Sequence, residues 1–313
     1  LRRRSGQRSG ALAPVALVPA LALVLAGCGG GEQGVEVDGV PIVEEGALKT
    51  CTHLSYRPFQ FNEGGEVVGF DVDLVDLVAE DLGLEQQIVD ISFDTITSGA
   101  ALDTGECDVA AAGMTITDAR SENFDFSDPY FDARQALITT ADSGITGVDD
   151  LAGGSVGVQN DTTGKDWAEA ELADGTEIRS YDDLPLLLAA VETGEVDAGI
   201  NDNGVLYDAA NENDTFAVVA DIETNEQYGI GVRKDNDALR ERINEVLQAA
   251  REDGRYEEIY VKWFGVAPEG VGTDATVDED EEASDESEAA DESEASGASE
   301  SADAPALSED PES

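Results

Sequence analysis

Along residues 71–82 the apolar positions recur at helical spacing. Val72, Val75, Val78 and Leu82 share one face, and acids occupy much of the other. That spacing predicts an amphipathic helix, with Asp71 as a candidate N-cap and Gly83 as the stop. Helices are likewise expected over 95–102, 165–173 and 183–192. A further one is marked by Leu239, Ile243, Val246 and Ala250, and a last one covers 256–264. Short apolar runs at 47–50, 88–91, 109–112, 136–139, 155–158 and 196–200 read as strands. Strands alternating with helices predict an α/β fold with parallel sheets covered by helices.

One stretch occurs twice. Leu102-Asp-Thr-Gly-Glu-Cys-Asp-Val-Ala matches Val191-Glu-Thr-Gly-Glu-Val-Asp-Ala-Gly, a helix end, a Thr-Gly-Glu turn and an Asp opening a buried strand. The echo predicts two lobes built on one plan. Ligands of open α/β sheets collect at the carboxyl ends of strands. Residues 113–117 and 201–203 are therefore the expected facing walls of a cleft.

The two ends of the chain follow other rules. Arg2, Arg3, Arg4 and Arg8 precede an uncharged apolar run over 11–26. The run is short for a bilayer span of about 20 residues, so residues 1–27 read as a signal peptide. Leu25-Ala26-Gly27-Cys28 resembles the bacterial lipobox, which implies a lipid on the Cys28 thiol and an anchored protein on the extracytoplasmic face of the membrane. A Cys that merely ends a signal peptide and a retained membrane span are the competing readings. Residues 28–46, rich in Gly and Glu, are expected to be a flexible tether. Residues 269–313 hold 18 acids, no aromatic and no cation. Such a segment buries too little apolar area to offset its chain entropy and is expected to be a disordered acidic tail.

Composition narrows the function classes. The 313 residues carry 17 Lys and Arg against 70 Asp and Glu, a formal net charge of -53. That charge repels nucleic acid and argues against it as a partner. One His and three Cys leave no material for a zinc site of His and Cys, and no metal or cofactor is expected. Residues 28–268 still hold 13 cations against 52 acids. A body this acidic repels itself, which predicts a protein suited to high ionic strength.

Seven segments then fall in a telling order: Tyr56-Arg-Pro-Phe59, Gly69-Phe-Asp-Val-Asp-Leu74, Phe93-Asp-Thr-Ile96, the Thr-Gly-Glu-Cys-Asp turn, Thr115-Ile-Thr-Asp-Ala-Arg120, Phe126-Ser-Asp-Pro-Tyr130 and Val156-Gly-Val-Gln-Asn-Asp-Thr-Thr-Gly164. Together they resemble the extracellular solute-binding proteins of family 3, the polar amino-acid receptors of ABC importers. The resemblance implies a two-lobed type II periplasmic binding protein fold, each lobe a mostly parallel sheet with flanking helices, joined by two hinge crossovers near 131–134 and 225–228. Lobe one would comprise 47–133 and 228–268, and lobe two 134–227. The implied partners are a free amino acid and a membrane permease.

A free amino acid carries a carboxylate and an ammonium, and both need partners when buried. Arg120 offers a planar fork for the carboxylate, with the Thr115 hydroxyl beside it. Thr162 and Thr163 open a helix, where backbone N–H groups favour anions, although an ordinary N-cap is the alternative. The resemblance assigns the ammonium to Asp202 and the Gly113 carbonyl, and the aliphatic stem to Tyr56 and Phe93. It also puts His53, Met114 and Gln159 at the variable end of the ligand. In the family resembled, members preferring cationic side chains tend to carry an acid at the place of His53. Its lack here argues against a strongly cationic side chain and favours a neutral or acidic one such as glutamine or glutamate. Asp161 is an alternative acid, and an ordinary loop histidine is the alternative reading of His53.

Cys51 and Cys107 sit on expected neighbouring strands, within reach of a disulfide in an oxidising compartment. Two buried thiols are the alternative. The same fold also hosts a periplasmic dehydratase for prephenate-like substrates and amino-acid sensor modules. An enzyme would need a positioned acid or base, and no catalytic pattern is evident here. A binding role without catalysis is the expectation.

Overall fold

The computed structural model describes residues 34–268. The expected signal peptide, Cys28 and the acidic tail lie outside the described residues. The first elements are β1 (Val35–Val37) and β2 (Val40–Ile42), an antiparallel pair. The expectation of a tether across 28–46 is therefore corrected from residue 35 onward. Asp38 and Gly39 have φ of 51° and 85°, the left-handed pair that a two-residue hairpin turn requires, and Asp-Gly between alternating apolar residues is its sequence signal. Val40 and Ile42 are buried in the main core.

Next come β3 (Ala47–Thr52), the hairpin β4 (Phe61–Glu63) and β5 (Glu66–Val68), α1 (Phe70–Asp81) and β6 (Glu85–Asp90). The N-cap of α1 is Gly69, not Asp71. Asp71 is buried inside the first turn instead, accepting from Tyr130 Oη at 2.8 Å and Gly113 N at 2.6 Å. A Cβ at Gly69 would lie 2.0 Å from the Phe59 carbonyl oxygen, so only glycine fits there. Gly83, at φ 67°, ends the helix as expected. The helix expected over 95–102 is two short ones, α2 (Phe93–Thr97) and α3 (Ala100–Asp103), broken at Gly99 with φ 75°. Then follow β7 (Val109–Ala110), α4 (Asp118–Ser121) and β8 (Asp125–Phe126).

The chain then enters a second sheet with β9 (Phe131–Thr140), β10 (Ser155–Gln159), α5 (Thr163–Glu171) and β11 (Glu177–Tyr181). It continues through α6 (Leu184–Glu192), β12 (Ala198–Asp202), α7 (Asn203–Glu212) and β13 (Phe216–Tyr228). Asp183 caps α6, accepting from Leu186 N at 2.8 Å. β14 (Gly231–Val232) returns to the first sheet, and α8 (Asp237–Asp253) and α9 (Arg255–Phe264) cover it. Helices α8 and α9 both pack on α1.

The strand orders are β6-β3-β7-β14-β8 and β11-β10-β12-β9-β13. Each sheet has two parallel pairs followed by two antiparallel ones. The sheets are thus mixed, because β9 runs against β12 and β13, and β14 runs against β7 and β8. The repeated turn is the same object in both lobes. Gly105 and Gly194 both have φ 70°. Glu106 N donates to Ala101 O and Glu195 N to Ala190 O, each at 2.9 Å. The following acids also act alike, Asp108 accepting from Lys49 N at 2.8 Å and Asp197 from Ser155 N at 2.7 Å.

The chain passes between the sheets at the start of β9 and the end of β13, where Phe131 pairs with Tyr228 and Ala133 with Glu226. Phe59, Phe70, Phe131, Tyr228 and Phe264 meet there in edge-on and stacked contacts. Cys51 on β3 and Cys107 just before β7 are disulfide-bonded, with Cα atoms 5.6 Å apart.

Candidate functional site

A crevice lies where the carboxyl ends of the two sheets face each other. His53, Tyr56, Gln60, Phe93, Gly113, Thr115 and Arg120 line it from the first lobe. Gln159, Thr162, Thr163 and Asp202 line it from the second. Ten of the eleven residues expected at a ligand site meet here. Met114 is the correction. Its side chain is fully buried in a cluster with Cys51, Phe93, Ile96 and Phe124, because its strand-end neighbours Gly113 and Thr115 take the crevice side. The crevice holds about 10 Å³, the room of roughly one water.

Arg120 sits on α4, whose N-cap Thr117 accepts from Arg120 N at 3.2 Å. Its Nη1 donates to Thr115 O at 2.7 Å, and its Nη2 crosses the crevice to Asp161 O at 2.9 Å. The guanidinium carbon lies 5.3 Å from the Phe93 ring centroid, a cation–π contact in a desolvated place. Burial pulls the Arg120 pKa below its ordinary value, and the charges of Asp202 and Glu226 oppose that pull.

Asp202 ends β12 and is the one acid among the lining residues. Tyr56 Oη lies 2.7 Å from its Oδ2 and 2.7 Å from Asn201 Oδ1, and can donate to either. Tyr228 Oη and Gln135 Nε2 also donate to the Asp202 carboxylate. Burial first, then the neighbouring Glu226 charge, raises its pKa to about 6, while the donors pull it back. Burial holds the Tyr56 and Tyr228 phenols well above the ordinary tyrosine range, so both remain O–H donors.

Several lining hydroxyls are already engaged. Thr162 is the N-cap of α5, accepting from Lys165 N at 3.2 Å and donating to Gln159 O at 2.8 Å. Its hydroxyl does the capping, and what it adds to the crevice is backbone. Thr115 Oγ1 and Thr163 Oγ1, one from each lobe, both donate to Glu226 Oε2 at 2.7 Å. Gly113, at φ 55°, gives its N–H to Asp71 and lies against Tyr56, where a Cβ would come within 2.8 Å of the ring. Its carbonyl is thereby held by the turn of the chain rather than by a side chain.

Glu226, Gln135, Tyr228 and Gln60 are polar residues of the site that the sequence pattern alone does not single out. All four are buried. The available signal was alternation: Glu226 and Tyr228 stand two apart on one strand and share a face. Gln135 precedes the apolar run 136–138 of β9, an unusual place for an amide unless it has partners.

A family profile for bacterial extracellular solute-binding proteins, family 3, matches residues 48–266. A probable histidine-binding protein of Neisseria gonorrhoeae is 32% identical over 78% of this chain and 91% of its own length. The glutamine-binding protein GlnH of an ABC transporter in Bacillus subtilis (strain 168) is 36% identical, over 65% of this chain and 75% of that one. Among solved structures, an ancestral arginine-binding protein bound to glutamine superposes with a TM-score of 0.67 at 37% identity, covering 71% of this chain and 100% of that one.

Proposed function

The chain belongs to family 3 of the bacterial extracellular solute-binding proteins, and from that membership we propose that it captures a free polar amino acid between its lobes and delivers it to the permease of an ABC importer. One observation carries this reading: a buried guanidinium on one lobe and a buried carboxylate on the other line the same crevice. That pair is complementary to a zwitterion. Arg120, with the Thr115 and Thr163 hydroxyls and the backbone at Thr162, takes the carboxylate. Asp202 and the Gly113 carbonyl take the ammonium, and Tyr56 and Phe93 cover the stem. His53 and Gln159 face the ligand's side chain.

An amino acid is larger than the room of roughly one water, so the lobes part to admit it. Arg120 then exchanges Asp161 O, and the two threonines exchange Glu226, for the incoming carboxylate. Only the closed form makes both contact sets, so the ligand favours closure. A lipid on Cys28 would hold the protein at the outer face of the membrane beside its permease. No residue of the crevice is given a catalytic role, and the named relatives are binding proteins.

The test is a thermal-shift screen of the twenty amino acids at high salt. A ligand at 100 times its Kd stabilises by about 2.7 kcal/mol. Arg120→Ala and Asp202→Ala are each expected to erase that shift while remaining folded. Failure of every amino acid to shift the wild-type protein, or undiminished binding by either variant, would reject the reading.

A further inference from the structure

Resting on the amino-acid-binding reading above, we infer that the cargo's side chain ends in a carboxamide, the chemistry of glutamine. The inference comes from the polar atoms that the crevice leaves without partners.

His53 Nδ1 lies 3.0 Å from Ile91 O. A carbonyl only accepts, so Nδ1 carries the proton and Nε2 of the neutral ring is an acceptor. Gln60 Nε2 donates to His53 O at 3.2 Å, which fixes the orientation of that amide and makes its Oε1 an acceptor. Both residues line the crevice, and both His53 Nε2 and Gln60 Oε1 are buried without a hydrogen-bond partner. Gln60 is only 1% exposed. The first lobe therefore presents two unpaired acceptors.

The second lobe presents the opposite. Gln159 Oε1 accepts from Asn201 Nδ2 at 3.1 Å. The Asn201 amide is itself oriented, because its Oδ1 accepts from Asp202 N at 2.8 Å. The group that Gln159 keeps for the crevice is its –NH₂, a donor. Two acceptors on one wall and a donor on the other match a primary carboxamide, with its two N–H groups and one carbonyl.

Other side chains fit less well for separate reasons. A carboxylate brings lone pairs to His53 Nε2 and Gln60 Oε1 and satisfies neither. An ammonium or guanidinium finds no acid among the lining residues besides Asp202, which the ligand's own ammonium occupies, and an unpaired buried charge is costly. An apolar side chain leaves both acceptors unpaired, the situation in which polar pockets discriminate most strongly. The expectation that glutamine and glutamate fit alike is thereby divided.

Isothermal titration of the full chain with glutamine, glutamate, lysine, arginine and norleucine tests this. Glutamine is expected to bind at least about 100-fold tighter than glutamate or norleucine. In Gln60→Leu the glutamine-to-norleucine ratio should fall by about tenfold or more. Tighter binding of glutamate, lysine or arginine than of glutamine overturns the carboxamide inference and leaves the amino-acid reading standing. So does an unchanged ratio in Gln60→Leu. Should that variant not fold, the ranking on the wild-type chain decides alone. Absence of binding by all twenty amino acids removes the reading beneath it.

Discussion

Two buried carboxylates do opposite work although both titrate late. Asp202 is pushed up to about 6 by burial and by Glu226. Under the proposed assignment of the ligand's ammonium to Asp202, the carboxylate must be ionised, so ligand affinity should be flat above that pKa and weaken by about tenfold per pH unit below it. Titration calorimetry across that range checks the slope, and a pH-independent Kd would remove Asp202 from the ammonium site. Asp71 is pushed further, to about 7, by burial, with Gly113 N and Tyr130 Oη pulling it back. Its folded pKa stands above the unfolded value of 3.8, so the native state binds the extra proton. The stability it contributes is fully present below the unfolded pKa and lost as pH rises through about 7. Without added ligand, the protein should unfold more readily at pH about 8 than at pH about 5, and Asp71→Asn should flatten that slope. An unchanged slope in denaturant melts would mean that Asp71 does not titrate there.

At the scale of elements, periodicity was legible where one face is buried and the other wet. The helix from Phe70 to Asp81 follows from helical spacing, and the largely buried strands at Ala47, Ser155 and Ala198 follow from short apolar runs, within a residue or two at most ends. The misreadings have local causes. Gly99 looks like any helical glycine in sequence, yet its left-handed backbone splits 93–103 into two helices. Asp71 reads as a cap because caps and buried acids use the same residue types, and only the fold supplies Tyr130 and Gly113 as partners. The β1–β2 hairpin was hidden in a segment whose Gly and Glu content suggests a linker. Its core residues make it testable: Ile42→Ala is expected to cost about 2–4 kcal/mol in urea unfolding, whereas a tether residue would cost nothing. The Cys51–Cys107 bond closes a sequence separation of 56. Replacing both cysteines by Ala should lower stability by about 2–4 kcal/mol, the same loss that a reductant produces in the wild-type protein.

For the whole molecule the dominant fact is charge. The site itself depends on a handful of buried groups, but residues 28–268 carry 13 cations and 52 acids. Each of the four lysines in the described residues already sits within 4.0 Å of an acid. Thirteen cations cannot pair with most of 52 acids, so the acids of this span outnumber their possible cationic partners fourfold. Exposed pairs contribute little individually, so they do not offset the general repulsion. Salt acts on these two terms differently. It weakens the few attractive surface pairs slightly, and it screens the far more numerous repulsions, with a Debye length shrinking from about 10 Å at 0.1 M to about 3 Å at 1 M. Repulsion between the lobes works against closure in the same way, whereas Arg120 and Asp202 are buried and feel salt much less. Raising KCl from about 0.1 M to about 2 M is therefore expected to raise the unfolding midpoint, and to preserve or tighten amino-acid binding over the same range. A midpoint that falls with salt would mean that the surface pairs outweigh the repulsion, and would overturn the view of this chain as built for high ionic strength.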